Sequence, residues 1–511
     1  MAATTQTRRV RAFKRWMKSQ GIECSDALQL CDCPLQGLSV RALCYLSEGD
    51  VVATIPKLAC LTIRTTGARD LIESASFDGS LGLSVAIMYE RSLGQSSPWA
   101  PYLQLLPYQE CLPLVWTPEE VDSLLCGTEL HKAVKEDQAL ICEDWKENIL
   151  PLLELDSFQL DASFFSVQDY FAARTLIASR SFEIDDFHGS GMVPLADLFN
   201  HKTGAEDVHF TAVSSHSDSD SEADNGQMNG HTNADDDEYE LEPTPPVSPM
   251  DNAELGITLS GRKSLVECPS DWGNDPAALE MIMIKDVKVG SEVYNTYGSV
   301  GNAALLHRYG FTEPDNPYDI VNIDLALVLQ WSLSLFSSRC SRARVSLWRK
   351  LDYSGCVSQN SEYFEVSFDG EPQIELLTLL YIMLLPEDAY YELDFAVSTA
   401  RNSEDLKGGI CMFLFGGTSE MSSDMLMNKS VGNALLSLAD IREGLYGSKS
   451  LEDDIEALKR CCCIRDKKLY HSLTLQICER RILEKLRTYV ADTAHLRISR
   501  RASTRKKLKR T

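Results

Sequence analysis

The chain has 511 residues, 44% hydrophobic and 24% charged, a length and balance that fit two or three globular domains with a sizeable core. The formal net charge of −26 is uneven: residues 214–276 hold fifteen acidic against two basic side chains, whereas the last fifteen residues hold eight basic and no acidic ones. A membrane-spanning protein is excluded, because no apolar run approaches ~18–20 residues. So is a disulfide-built secreted domain: the sixteen cysteines follow no paired spacing, no signal h-region precedes them, and reduced intracellular thiols are expected.

The first 22 residues lack acidic side chains, as plastid transit peptides often do. However, "FKRWMKSQGI" already reads as an amphipathic helix of the fold. Only about ten residues remain for a targeting peptide, so plastid import is rejected. Residues 37–63 read as a strand, a turn at Glu48-Gly49-Asp50 and a second strand ended by Pro56. From about residue 80 to 178 the apolar spacing turns helical. Thr117 is the expected N-cap of "TPEEVDSLLCGTEL", with Glu120 at the capping-box position. Residues 207–213 and 278–297 read again as strands. The acidic stretch between them is poor in large apolar residues and is expected to be a disordered loop inserted within one domain. After residue 320 the pattern stays helical to about 490.

Two stretches concentrate chemistry. "PLADLFNH" (194–201) brings Asp197, Asn200 and His201 together. As a metal site it lacks a second histidine or carboxylate at helical spacing. The cysteines at 31, 33 and 461–463 complete no zinc set either, so no metal is expected. As a hydrolase triad it lacks a nucleophile elbow. Taken alone, it also reads as a helix end with a capping Asn. "EVYNTYGSVGNAALLHRYGF" (292–311) places Tyr294 and Tyr297 at a strand end before Gly298, then a short helix before Tyr309-Gly310-Phe311.

The pairing of "ADLFNH" with "YNTYG" and "YGF" resembles the SET-domain protein-lysine methyltransferases, in the subclass typified by Rubisco large-subunit methyltransferase. The resemblance covers residues 11–490 and takes in "SEGDVVATIPK", "PWAPYLQLLP", "VWTPEEVDSLLCGTEL" and "ASRSF". It implies an α+β fold, a SET domain of small β-sheets with a knot-like C-terminal crossing, carrying a helical insertion and followed by an all-α substrate-binding domain. On that pattern residues 11–80 begin the SET domain, 81–178 are the insertion and 179–213 carry the Asn-His segment. Residues 214–276 are the acidic insert, 277–318 the closing SET segment, 319–490 the helical domain and 491–511 a basic tail.

The resemblance also implies S-adenosylmethionine as cofactor. It is held by Gln36, Gly37, Arg180, Asn200, the main chain of His201, Tyr297 and Phe311, with Phe311 near the adenine. Tyr297 is the implied catalytic tyrosine; Phe182, Phe210 and Tyr309 are the implied walls of a substrate-lysine channel. Methyl transfer to an amine needs alignment and a neutral nucleophile. A lysine, with a solution pKa of about 10.4, is neutralised by desolvation in an aromatic channel and by the adjacent sulfonium charge. Two departures from the family pattern stand out. Its Gly-x-Gly appears as Leu35-Gln36-Gly37, and Phe210 stands where relatives often carry a tyrosine that bears on the number of methyls added.

The implied partner is a non-histone protein bearing the target lysine. No membrane partner is expected, and nucleic acid only weakly through the tail; the chain is expected to be a monomer. The tail "RKKLKR" favours the nucleus, with cytosol second. Two other readings stay open: a catalytically weak SET-fold binding or scaffold protein, and a protein-histidine methyltransferase of the same class.

Overall fold

The computed structural model describes residues 7–33, 37–154, 160–212, 278–351, 363–399 and 423–508. The expected disorder of 214–276, and the Leu35-Gln36 departure, fall outside these residues. Apart from Ala212, the described residues form one compact unit.

Helix α1 (Arg8–Ser19) forms where the amphipathic pattern predicts it, with Thr7 as its N-cap and Val10, Phe13, Trp16 and Met17 buried. Strands β2 (Leu28–Cys33) and β3 (Gly37–Ala42) pair antiparallel, Leu28 opposite Ala42. Strands β1 (Glu23–Cys24), β4 (Val51–Pro56), β8 (Ala278–Met283) and β7 (Val208–Ala212) make a four-stranded sheet in the order β1-β4-β8-β7. The two strands read from residues 37–63 therefore join different sheets instead of pairing with each other. β8 shows why its sequence pairs: Leu279, Met281 and Met283 alternate into the core while Ala278, Glu280 and Ile282 are only partly covered. The strand expected over 278–297 ends at Met283. Beyond it, up to residue 297, the chain makes isolated bridges, Leu46 with Val287, Arg41 with Glu292 and His201 with Asn295.

The insertion is helical, with α2 (Gly79–Ser92), α3 (Pro118–Leu124), α4 (Leu130–Asp144) and α5 (Val167–Arg180). Thr117 and Glu120 form the predicted capping box on α3, and Ser166 with Asp169 forms another on α5. A hairpin of β5 (Ser181–Asp185) and β6 (Gly189–Met192) follows α5. After α6 (Asn302–Tyr309), the C-terminal region is helical except for β9 (Val321–Asp324) and its antiparallel partner β10 (Tyr363–Val366). The helical pattern over 451–490 breaks at the Cys461-Cys462-Cys463 turn into α7 (Leu451–Arg460) and α8 (Lys467–Leu508). Helix α8 continues through most of the basic tail.

Two main hydrophobic cores result. One gathers Phe13, Val40, Ile55, Val85, Tyr102, Phe199 and Met281; the other gathers Val321, Leu376, Leu380, Leu435, Leu438 and Leu483. Charge and close backbone approach join the insertion to the second core. Arg442 donates to the carbonyls of Gly127 (2.5 Å) and Asn322 (3.0 Å) and to Glu129 (3.2 Å). Gly127 sits at φ +78°, and a Cβ there would lie 2.6 Å from the Tyr446 nitrogen, so only glycine fits this junction.

Candidate active site

The 194–201 motif does not end an α-helix. Leu195, fully buried, adopts φ +80° and ψ −46°, a conformation a leucine holds only under strong packing. A single 3-10 turn (Ala196–Leu198) follows and delivers Asn200 and His201 alongside the segment after β8. There the Asn295 N–H donates to the Asn200 carbonyl at 2.9 Å, and His201 bridges Asn295 in parallel register. The two motifs lie 92 to 98 residues apart in sequence and are one structural unit.

The Asn200 amide donates to the Leu38 carbonyl (3.0 Å) and to Glu292 (2.8 Å), and Asn200 Oδ1 remains as an acceptor. The His201 ring has a part that main-chain reasoning alone misses. Its Nδ1 accepts the Tyr297 N–H at 3.0 Å and its ring stacks on that of Tyr297, 5.1 Å between centroids. Accepting at Nδ1 places the proton of the neutral ring on Nε2, which faces Thr203 Oγ1 at 3.2 Å. Burial pushes the imidazole pKa down against the pull of Glu313, which favours the neutral ring, and the lone pair of that ring is taken up by the Tyr297 N–H.

Tyr297 donates its hydroxyl to the Phe199 carbonyl at 3.2 Å. Burial raises its pKa well above the usual phenol, which keeps the proton in place. Gly298 follows at φ +100°, a turn that a β-carbon would strain. The Tyr309 ring lies 4.4 Å from that of Tyr297, and Phe311 lies 6.1 Å from His201, closing an aromatic group of four. Fully buried Asn302 holds this segment in place: its amide donates to the Glu313 carbonyl and to Asp319, and its Oδ1 accepts the Glu313 N–H at 2.7 Å. The Glu313 carboxylate in turn accepts the Thr203 N–H at 3.1 Å.

Arg180, the last residue of α5, donates to Glu110 through Nε (2.7 Å) and to the Asp197 carbonyl through Nη1 (3.0 Å). The Asp197 carboxylate has no exposed surface; it accepts the Tyr102 hydroxyl at 2.9 Å, with Arg180 at 3.5 Å. Burial outweighs Arg180 and Tyr102 and pushes its pKa up to about 6. Asp197 thus braces the turn through Tyr102 and Arg180.

These groups line one cavity of about 360 Å³: Glu110, Ser179, Arg180, Asp197, Asn200, His201, Glu292, Tyr294, Tyr297, Tyr309, Phe311 and Lys467. Of the expected site residues, Arg180, Asn200, His201, Tyr297, Tyr309 and Phe311 meet there. Gly37, exposed at φ +82°, does not line the cavity, although its neighbour Leu38 binds Asn200. Gln36 lies outside the described residues. Phe182 and Phe210 pack on each other, 4.9 Å apart, beside the larger core and not among the cavity-lining residues. Glu110, Ser179, Glu292, Tyr294 and Lys467 were not anticipated as site residues. Glu292 stands inside "EVYNTYG", but nothing local marks Glu110 or Lys467. Among the described residues no group of three His, Cys, Asp or Glu is placed to hold a metal, and no helix is long and apolar enough to cross a membrane.

Helix α8 packs beside the cavity through His471, whose Nδ1 accepts the Thr312 N–H at 3.1 Å. Burial, reinforced by Lys467, pushes its pKa down to about 4. The unfolded value is about 6.5. The neutral ring's contribution is therefore complete above pH 6.5 and lost as pH falls through about 4, roughly 3 kcal/mol over that window. Urea unfolding of wild type and His471→Gln at pH 7 and pH 4 checks this. The difference, wild type minus variant, is expected to fall by about that amount at the lower pH.

No family model matches the chain. Ribosomal lysine N-methyltransferase 3 of Saccharomyces cerevisiae is 28% identical over 336 residues, 57% of this chain and 59% of that one. N-lysine methyltransferase setd6 of Salmo salar is 24% identical over 401 residues, 75% of each chain. Among solved structures, Rubisco LSMT bound to AdoMet superposes with a TM-score of 0.61 at 17% identity, over 95% of this chain and 92% of that one. The SET domain of LSMT bound to lysine and AdoHcy gives 0.62 at 17% identity, over 95% and 91%. At that identity the likeness speaks for the fold. The α+β architecture, the joined Asn-His and tyrosine segments and the helical C-terminal region thus give this chain a fold like that of the SET domain of Rubisco LSMT.

Proposed function

We propose that the chain is an S-adenosylmethionine-dependent methyltransferase that methylates the side-chain amine of lysine in a protein other than a histone. The observation that carries this reading is the convergence of the Asn200-His201 turn, the Tyr297 hydroxyl and the Tyr309–Phe311 aromatic wall on one cavity. The names of the curated relatives, lysine N-methyltransferases, support it. The cavity chemistry fits the cofactor. Asn200 Oδ1 and the Glu292 carboxylate are acceptors suited to the α-ammonium of the methionine end, and Phe311 is an aromatic face suited to a purine.

When bound, S-adenosylmethionine supplies an electrophilic methyl group on a sulfonium. The chain supplies alignment. Tyr297 spends its proton on the Phe199 carbonyl, which leaves the phenol oxygen lone pairs to accept from an incoming amine. Its raised pKa keeps the oxygen neutral, so it orients the amine without holding it as an ammonium. Gln36 and Gly37 complete the cofactor contacts in this reading, and Phe182 and Phe210 join Tyr309 as channel walls, with Phe210 bearing on the number of methyls added. The partner is a protein substrate met by a monomer. The nucleus is the favoured location, with cytosol second, on the strength of the basic run 505–510. Calorimetry with S-adenosylhomocysteine tests the cofactor assignment: saturable one-to-one binding is expected, and no heat at millimolar ligand contradicts it.

A further inference from the structure

Helix α8 belongs to the C-terminal region, yet its first residue, Lys467, lines the cavity. The first turns of the helix are held from two sides. The next residue, Lys468, pairs with Glu120 of α3 at 2.6 Å and lies over the Trp116 ring at 5.5 Å. One turn on, His471 is bonded to Thr312, the residue after Phe311. Lys467 shares a helix face with His471, so the clamp sets its stem beside the Phe311 side of the cavity.

The cavity's other cation is already spent. Arg180, the other cation lining the cavity, is engaged by Glu110 and Asp197. Lys467 is exposed and has no carboxylate partner among the described residues. A lysine that faces a binding cavity and is not neutralised by a neighbour keeps its donors for a ligand. Beside an aromatic wall suited to a purine, what it meets is the nucleoside, whose ring nitrogens and ribose oxygens are acceptors.

Resting on the methyltransferase reading, we infer that Lys467 is a cofactor-binding residue lent by the helical C-terminal region, donating to the nucleoside part of the methyl donor. The helical region then does more than meet the protein substrate: it completes the cofactor site.

Two measurements on the full-length chain test this. In calorimetry with S-adenosylhomocysteine, Lys467→Met is expected to weaken binding by about tenfold, and Lys467→Arg to restore much of it, as for a hydrogen bond to a charged donor. In the wild type, acetylation of lysines by an N-hydroxysuccinimide ester is read by mass spectrometry with and without the ligand. Labelling of Lys467 is expected to drop several-fold on binding while Lys459, exposed on α7, is unchanged. Binding by Lys467→Met within twofold of wild type, or equal labelling of Lys467 with and without ligand, overturns the inference while leaving the methyltransferase reading intact. Failure of the wild type itself to bind overturns that reading, and the inference with it.

Discussion

Tyr297→Phe is expected to lower methyl transfer on the order of a hundredfold while binding of S-adenosylhomocysteine stays within about twofold. The substitution keeps the ring that stacks on His201 and Tyr309 and the N–H that His201 accepts. It removes only the hydroxyl on the Phe199 carbonyl, a loss of about 1 kcal/mol in stability. Unfolding therefore cannot account for a large activity loss. The activity loss would report the orientation of the incoming amine, and it should appear in kcat more than in the KM for the methyl donor. Single-turnover methylation and calorimetry on the same preparation separate the two; equal activity in both proteins would remove Tyr297 from the chemistry.

Arg180→Met is expected to destabilise the protein by about 3–5 kcal/mol, because it strands a buried carboxylate. Asp197 would keep only Tyr102 as a partner, and its Oδ1 already has none. The deficit should depend on pH in a definite direction. In the wild type the Asp197 pKa is raised to about 6, so stability from this group falls as pH rises from the unfolded value, about 3.9, through 6. Without Arg180 the pKa rises further and the fall extends above pH 6. Urea midpoints at pH 5, 7 and 8 should therefore show a gap between wild type and variant that widens upward in pH. A gap independent of pH would mean that Asp197 is not the group left unpaired.

What the sequence disclosed of the fold followed from how local each signal is. The capping box at Thr117 and Glu120 and the buried stripe of α1 need only residues within a turn or two of one another, and both formed as written. Strands β1 and β2, the β5-β6 hairpin and the β9-β10 pair span two to six residues each. Runs that short carry little periodicity, and what makes them strands is a partner that propensity does not reveal. The break between α7 and α8 at the cysteine turn was hidden for another reason: the apolar pattern resumes on both sides of it.

The site divides the same way. Family wording picked out Asn200, His201, Tyr297, Tyr309 and Phe311, and these residues share the cavity. The Tyr102–Asp197 bond spans 95 residues, and the Arg180–Glu110 pair spans 70. Nothing near either partner announces such contacts. His201 shows a subtler limit. Its backbone was the expected contribution, while its ring turns out to hold the tyrosine segment.

The most direct test of the account is incubation of the full-length chain with methyl-labelled S-adenosylmethionine and proteins from a cell extract, followed by complete hydrolysis and amino-acid analysis. The account predicts label in methyl-lysine with the wild type and little with Tyr297→Phe. No label with the wild type, or label confined to methyl-histidine, would contradict it.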